Sequence, residues 1–180
     1  MCPFPGIVVR GGRQAFRRDT ALVLRALSAH LRLCHYISLD VDIVTMATMA
    51  QYNQEFKLKR GPTDVLTFVN RDVDCDGHSV LDLIDDALRT AADEDGHYLG
   101  RVILCPDYIW ATSARHRRSY LPPATYTKVA LVHAFCHGLG YNHDGDDDHA
   151  EMVKQEKALL RHLTRLTRMG KLPQCLFHSQ

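Results

Sequence analysis

The sequence predicts an α/β fold: a small mixed β-sheet of about four strands with surrounding helices. Three observations predict it. Short apolar or alternating runs stand at 6–9, 38–44, 65–69 and 101–105. Segments with the 3.6-residue apolar period lie between and after them. The 180 residues are 46% hydrophobic, which suits one domain, residues 1–180, with a real core.

The elements follow in order. Ile7-Val8-Val9 is a first strand. From Asp19, a fair N-cap, Val23, Leu24, Leu27 and Leu31 recur with helical period. In SLDVDIV, Leu39, Val41 and Ile43 alternate with Asp40 and Asp42, so the aspartates form the solvent face of a half-buried strand. Residues 46–56 suit a short helix, Gly61-Pro62 breaks it, and VLTFV at 65–69 is a strand. RVILC at 101–105 is another, and Pro106 opens a helix that ends near RHRRSYLPP. Residues 126–139 form a mostly apolar helix. Asp148-His149-Ala150-Glu151 resembles a capping box, and the helix it starts has Met152, Glu156, Leu159, Leu160, Leu163 and Leu166 on one side.

Charge is unevenly distributed. Residues 71–95 hold nine acids and two bases, an acidic insert at about 71–96. Its opening DVDCDG resembles a calcium loop, but the twelfth position is Leu83, where a bidentate Glu is needed. Outside that segment 20 basic residues face 12 acidic ones, and a basic body favours a polyanionic partner. The first 33 residues carry six arginines and one acid, as a transit peptide does; a strand followed by a basic helix explains them better. The six cysteines form no CxxC pair and are read as reduced thiols of an intracellular protein. No stretch reaches the roughly 18 apolar residues of a membrane span.

HAFCHGLGYNH at 133–143 carries the chemistry. His133 and His137 are four apart, one turn apart on one helix face. Gly140 is a plausible helix stop, and the reversed chain can return His143 to them. Three imidazoles suit Zn²⁺, one ion per chain, on a helix and the turn after it, with the fourth position open. Such an ion supplies Lewis acidity and activates water. The spacing also matches the HExxHxxGxxH protease pattern, except that Ala134 replaces the general-base Glu. Cys136 points to another face, into the core.

The same eleven residues resemble the HGxxHLxGYDH signature of the YbeY family of metal-dependent single-strand endoribonucleases. YNQEFKLKRGPTDVLTF at 52–68 is similar to the family's second signature, and LGRVILCP at 99–106 to its third; together the matches span roughly 37–160. The match has departures from the pattern. Asn142 stands where YDH has Asp, and Lys57 where the family has Arg. Lysine keeps the charge and loses the bidentate grip on phosphate. The resemblance implies that His133, His137 and His143 hold the metal and that Lys57 contacts phosphate. Asp64 lies where the family has Asp or Asn, and also reads as a turn-capping carboxylate.

The implied function is a zinc-dependent endoribonuclease in ribosomal RNA maturation and ribosome quality control. Its partner would be single-stranded RNA, ribosomal or in a pre-ribosomal particle, with no membrane. Its compartment would be the cytoplasm, or in a eukaryote a mitochondrion or other organelle. Arg115, Arg117 and Arg118 form one basic patch. Lys154, Lys157, Arg161, Arg165 and Arg168 form a stripe along the last helix, able to grip RNA or simply to face solvent. Two other classes remain: a metalloprotease lacking the usual Glu base, and a non-catalytic zinc-containing ribosome-assembly factor.

Overall fold

Four strands and five helices make up the described residues (6–34, 37–70, 97–115 and 121–177) of a computed structural model. β1 (Ile7–Gly11), α1 (Gln14–His30) and β2 (Ile37–Ile43) form a parallel βαβ unit. Next come α2 (Met46–Lys57), β3 (Val65–Val69), β4 (His97–Leu104), α3 (Pro106–Arg115), α4 (Pro123–Gly138) and α5 (Asp146–Arg168). The sheet order is β1-β2-β4-β3. β4 runs parallel to β2 and antiparallel to β3, so the sheet is mixed, as the sequence predicts, with β3 at an edge.

Alternation along β2 sorts its two faces. Ile37, Leu39, Val41 and Ile43 enter the main core with Val23, Leu24 and Leu27 of α1 and Leu131 and Phe135 of α4. Asp40 and Asp42 take the other face, where they are more than solvated. Arg10 pairs with Asp40 at 3.2 Å, and Arg101 grips Asp42 through Nε and Nη2. A smaller cluster of Met49, Leu66, Ile103 and Cys105 seats α2 beside β3 and β4. Gly100 allows the irregular register between β2 and β4: its φ is +120°, and a Cβ there would meet the Phe68 carbonyl.

Several boundaries differ from the sequence expectation. α1 starts at Gln14, so Asp19 is not an N-cap. Asp19 is 2% exposed inside the helix, and its carboxylate accepts from the Phe177 backbone N–H at 2.9 Å. A carboxylate so placed ties α1 to the C-terminal segment, a contact 158 residues apart that no local pattern encodes. α5 starts at Asp146 after Gly145, two residues before the expected capping Asp148. Its first turn holds Asp146, Asp147 and Asp148, which suits the positive end of the helix dipole. α4 starts at Pro123 because a proline at the first helical position forfeits no hydrogen bond. β4 begins at His97, four residues early.

The acidic insert, with its DVDCDG opening, lies outside the described residues, as do Arg117 and Arg118. Arg115 closes α3. Among the described residues, Cys34, Cys105, Cys136 and Cys175 are free thiols. No described helix is long and apolar enough to cross a membrane.

Candidate metal centre

α4 is buried along most of its length: Ala130, Leu131, Val132, Ala134, Phe135 and Cys136 are all core residues. A helix apolar nearly all round belongs inside a fold. Its partly open side carries His133 and His137. Packing on the closed side therefore fixes where the two imidazoles stand.

The helix ends in a Schellman motif. Gly140 is left-handed (φ +91°), its N–H donates to the His137 carbonyl at 2.9 Å, and the Tyr141 N–H donates to the Cys136 carbonyl at 3.1 Å. Tyr141 then packs against the core. This reversal brings His143 back over the helix. One ligand atom from each of His133, His137 and His143 lies within 4.8 Å of the others.

The outer ring nitrogens settle the tautomers. His133 Nδ1 donates to Glu156 Oε1 of α5 at 2.7 Å, because an ionised carboxylate only accepts. His137 Nδ1 donates to the Tyr141 carbonyl at 3.0 Å. In their neutral forms both rings then leave Nε2 bare, and the two Nε2 atoms lie 3.2 Å apart. Two lone pairs at that distance repel unless a cation lies between them. Tetrahedral zinc with Zn–N of about 2.0–2.1 Å needs N···N near 3.3 Å, so the donor set fits the ion. Burial, then the neighbouring His133, lowers the His137 pKa from its ordinary value and favours the neutral, ligating form.

Glu156 was visible in the sequence as a carboxylate on the apolar side of the last helix, yet its role was not. It orients His133 and polarises it, as second partners of metal-binding histidines do. A Glu156→Ala variant is expected to bind metal about 10–100-fold more weakly in a chelator competition. Glu156→Gln, which keeps an acceptor, should recover most of that loss. Glu156 also adds to the burial that pushes the Cys136 thiol up to about 12, which suits an inert core thiol.

The three histidines open into a cleft of ≈ 780 Å³. Its other wall includes Phe56 and Lys57 at the end of α2 and Val65 to Val69 along β3. Lys57 is exposed there. Asp64 also lines the cleft, but both its oxygens are engaged. Oδ1 accepts from Thr63 Oγ1 and the Val65 N–H, each at 2.9 Å, and Oδ2 accepts from the Tyr126 hydroxyl at 3.0 Å. It caps its own turn and ties β3 to α4. Burial, then the Asp64 charge, pushes Tyr126 up to about 12, so the phenol remains a donor. Asn53 of α2 braces the neighbouring turn, where its Nδ2 donates to the Gly61 carbonyl at 2.8 Å.

Ala134 is 1% exposed and packed in the core, so no carboxylate stands at the protease-base position. Lys154, Lys157, Arg161, Arg165 and Arg168 are all exposed on α5, and the last four line a common groove with Leu160 and Thr164.

A family profile described as Endoribonuclease YbeY matches residues 11–164. A Nocardioides protein named Endoribonuclease YbeY is 30% identical over 142 residues, covering 78% of this chain and 84% of its own. A protein of the same name from Chloroflexus aggregans is 30% identical over 146 residues, covering 79% of this chain and 86% of its own. The solution structure of a Thermotoga maritima protein shares the fold, with a TM-score of 0.53 at 17% identity and 92% coverage of both chains.

Proposed function

The chain belongs to the YbeY endoribonuclease family, and from that premise we propose that it is a zinc-dependent single-strand endoribonuclease acting on ribosomal RNA or a pre-ribosomal particle, in maturation and quality control. The observation that carries the zinc assignment is the pair of Nε2 atoms 3.2 Å apart, each ring held from behind through its Nδ1. His133, His137 and His143 would hold the ion. Among the described residues that ligand group has three members, which leaves a position for substrate. Bound there, the ion would supply Lewis acidity toward a phosphate oxygen and activate water.

The chain's own groups do the rest. The cleft walls bring the strand against the three histidines. Lys57 neutralises a non-bridging phosphate oxygen and offsets the charge that develops there during displacement. Lys154 and Arg161, with the rest of the α5 stripe, grip phosphates beyond the cleft, and Arg115, Arg117 and Arg118 supply a second patch. Affinity then falls steeply with salt. The bacterial relatives support action where bacterial-type ribosomes are built: the bacterial cytoplasm, or a mitochondrion or similar organelle.

The test is direct. Purified protein is stripped with a chelator, reloaded with Zn²⁺, and offered single-stranded RNA, duplex RNA and an unfolded polypeptide. Zinc-restored cleavage of the single strand is the expected result. Cleavage of the polypeptide alone would move the protein to the protease class, and retained zinc with neither activity to the assembly factors. Lys57→Ala is expected to slow RNA cleavage about 10–100-fold while leaving metal content unchanged.

A further inference from the structure

Phe56 is an exposed aromatic in an unusual setting. It is 51% exposed, immediately precedes Lys57, and lines the same cleft as the three histidines. A lone exposed Phe on a surface means little. This one is held in place. Tyr52 stacks near it with ring centroids 6.0 Å apart, and Phe68 of β3 meets it edge-on at 5.0 Å. Its ring is fixed from two sides while half its surface stays open.

The backbone beside it is also specialised. Leu58 closes α2 at φ +53°, a left-handed conformation that leucine rarely adopts, and its side chain is 82% exposed. Asn53 holds the turn: its carbonyl accepts from the Lys59 N–H at 3.2 Å, and its side chain donates to the Gly61 carbonyl. Strain of this kind survives where the surroundings over-determine it, and it clusters at binding sites. The result is a fixed rim that presents an aromatic face and a cation side by side.

That pairing suits one chemical class. A nucleotide of a single strand offers a flat base and a phosphate on a common unit, and proteins hold such strands by base stacking plus phosphate contact. We propose that Phe56 is the base-stacking platform of the cleft, seating an unpaired base beside Lys57 and so selecting single-stranded over duplex RNA. A paired base is already stacked on its neighbours and has no face to offer. Phe56 here determines specificity and touches no reacting atom. The inference rests on the endoribonuclease reading and adds to it the group that recognises the base.

The experiment compares zinc-loaded wild type, Phe56→Ala and Phe56→Trp, each checked for metal content and thermal stability. The probes are a single-stranded oligoribonucleotide and an abasic ribose-phosphate strand of equal length. Phe56→Ala is expected to bind the RNA about 10- to 100-fold more weakly and the abasic strand as wild type does. Phe56→Trp should restore RNA binding, and its new indole emission should be quenched by RNA and not by the abasic strand, measured against the Trp110 background. Unchanged RNA binding in Phe56→Ala, or an equal loss on both strands, overturns the proposal. Wild type that neither binds nor cleaves RNA overturns the endoribonuclease reading and this inference with it. Wild type that cleaves while Phe56→Ala matches it overturns the platform alone.

Discussion

A His137→Ala variant is expected to fold, to lose its zinc, and to lose RNA cleavage by at least about 10³-fold. The size follows from the chemistry: a metal site supplies several kcal/mol of charge stabilisation, and each ~1.4 kcal/mol is tenfold in rate. His137 is the proposed ligand to remove because it lies between the other two. Its ring is 4.6 Å from that of His133 and 5.0 Å from that of His143, centroid to centroid. Folding should survive. Alanine is the best helix former, and the Schellman hydrogen bonds are backbone to backbone. The cost is the Tyr141 carbonyl losing its imidazole donor, about 1 kcal/mol. Metal analysis, circular dichroism and single-strand cleavage on one preparation check all three parts. Full cleavage by the zinc-free variant would remove the metal from the mechanism.

Phe135→Ala should have the largest effect on stability. Phe135 is 0% exposed, on the closed side of α4 between His133 and His137 in sequence. Truncating a buried Phe costs about 3–5 kcal/mol, through lost transfer energy and the cavity left behind. Against a typical total of ~5–15 kcal/mol, that is a large fraction. For a chain of this size it corresponds to a fall in Tm of roughly 6–20 °C. Urea unfolding should show a lower midpoint at an unchanged slope. Excess zinc should recover part of the loss, since a ligand that binds only the folded state stabilises it. A stability within ~1 kcal/mol of wild type would mean that α4 is not the central packing element.

What the sequence revealed and what it hid divide along range. His133 and His137 share a helix face by their spacing alone, and Gly140 announces the reversal, because helix geometry and glycine's freedom act over a few residues. Alternation in SLDVDIV sorted the two faces of β2 in the same way. The partners of those residues were hidden. Glu156 reaches His133 across 23 residues, Tyr126 reaches Asp64 across 62, and Phe177 reaches Asp19 across 158. Each is a polar group that finds its partner only when distant segments of the chain pack together. Asp19 shows the hazard: its type suits an N-cap, and a tertiary hydrogen bond put it inside the helix instead. Asp64 went the other way, because a turn-capping carboxylate is a local device, and the structure shows that device.

X-ray absorption at the zinc edge on the purified chain, together with its metal stoichiometry, bears most directly on the metal centre. The geometry predicts one zinc per chain with three imidazole nitrogens at about 2.0–2.1 Å and one light-atom ligand that a phosphate analogue displaces. A site closed by a fourth protein side chain, or a chain that retains its fold and cleaves RNA with no metal bound, would contradict it.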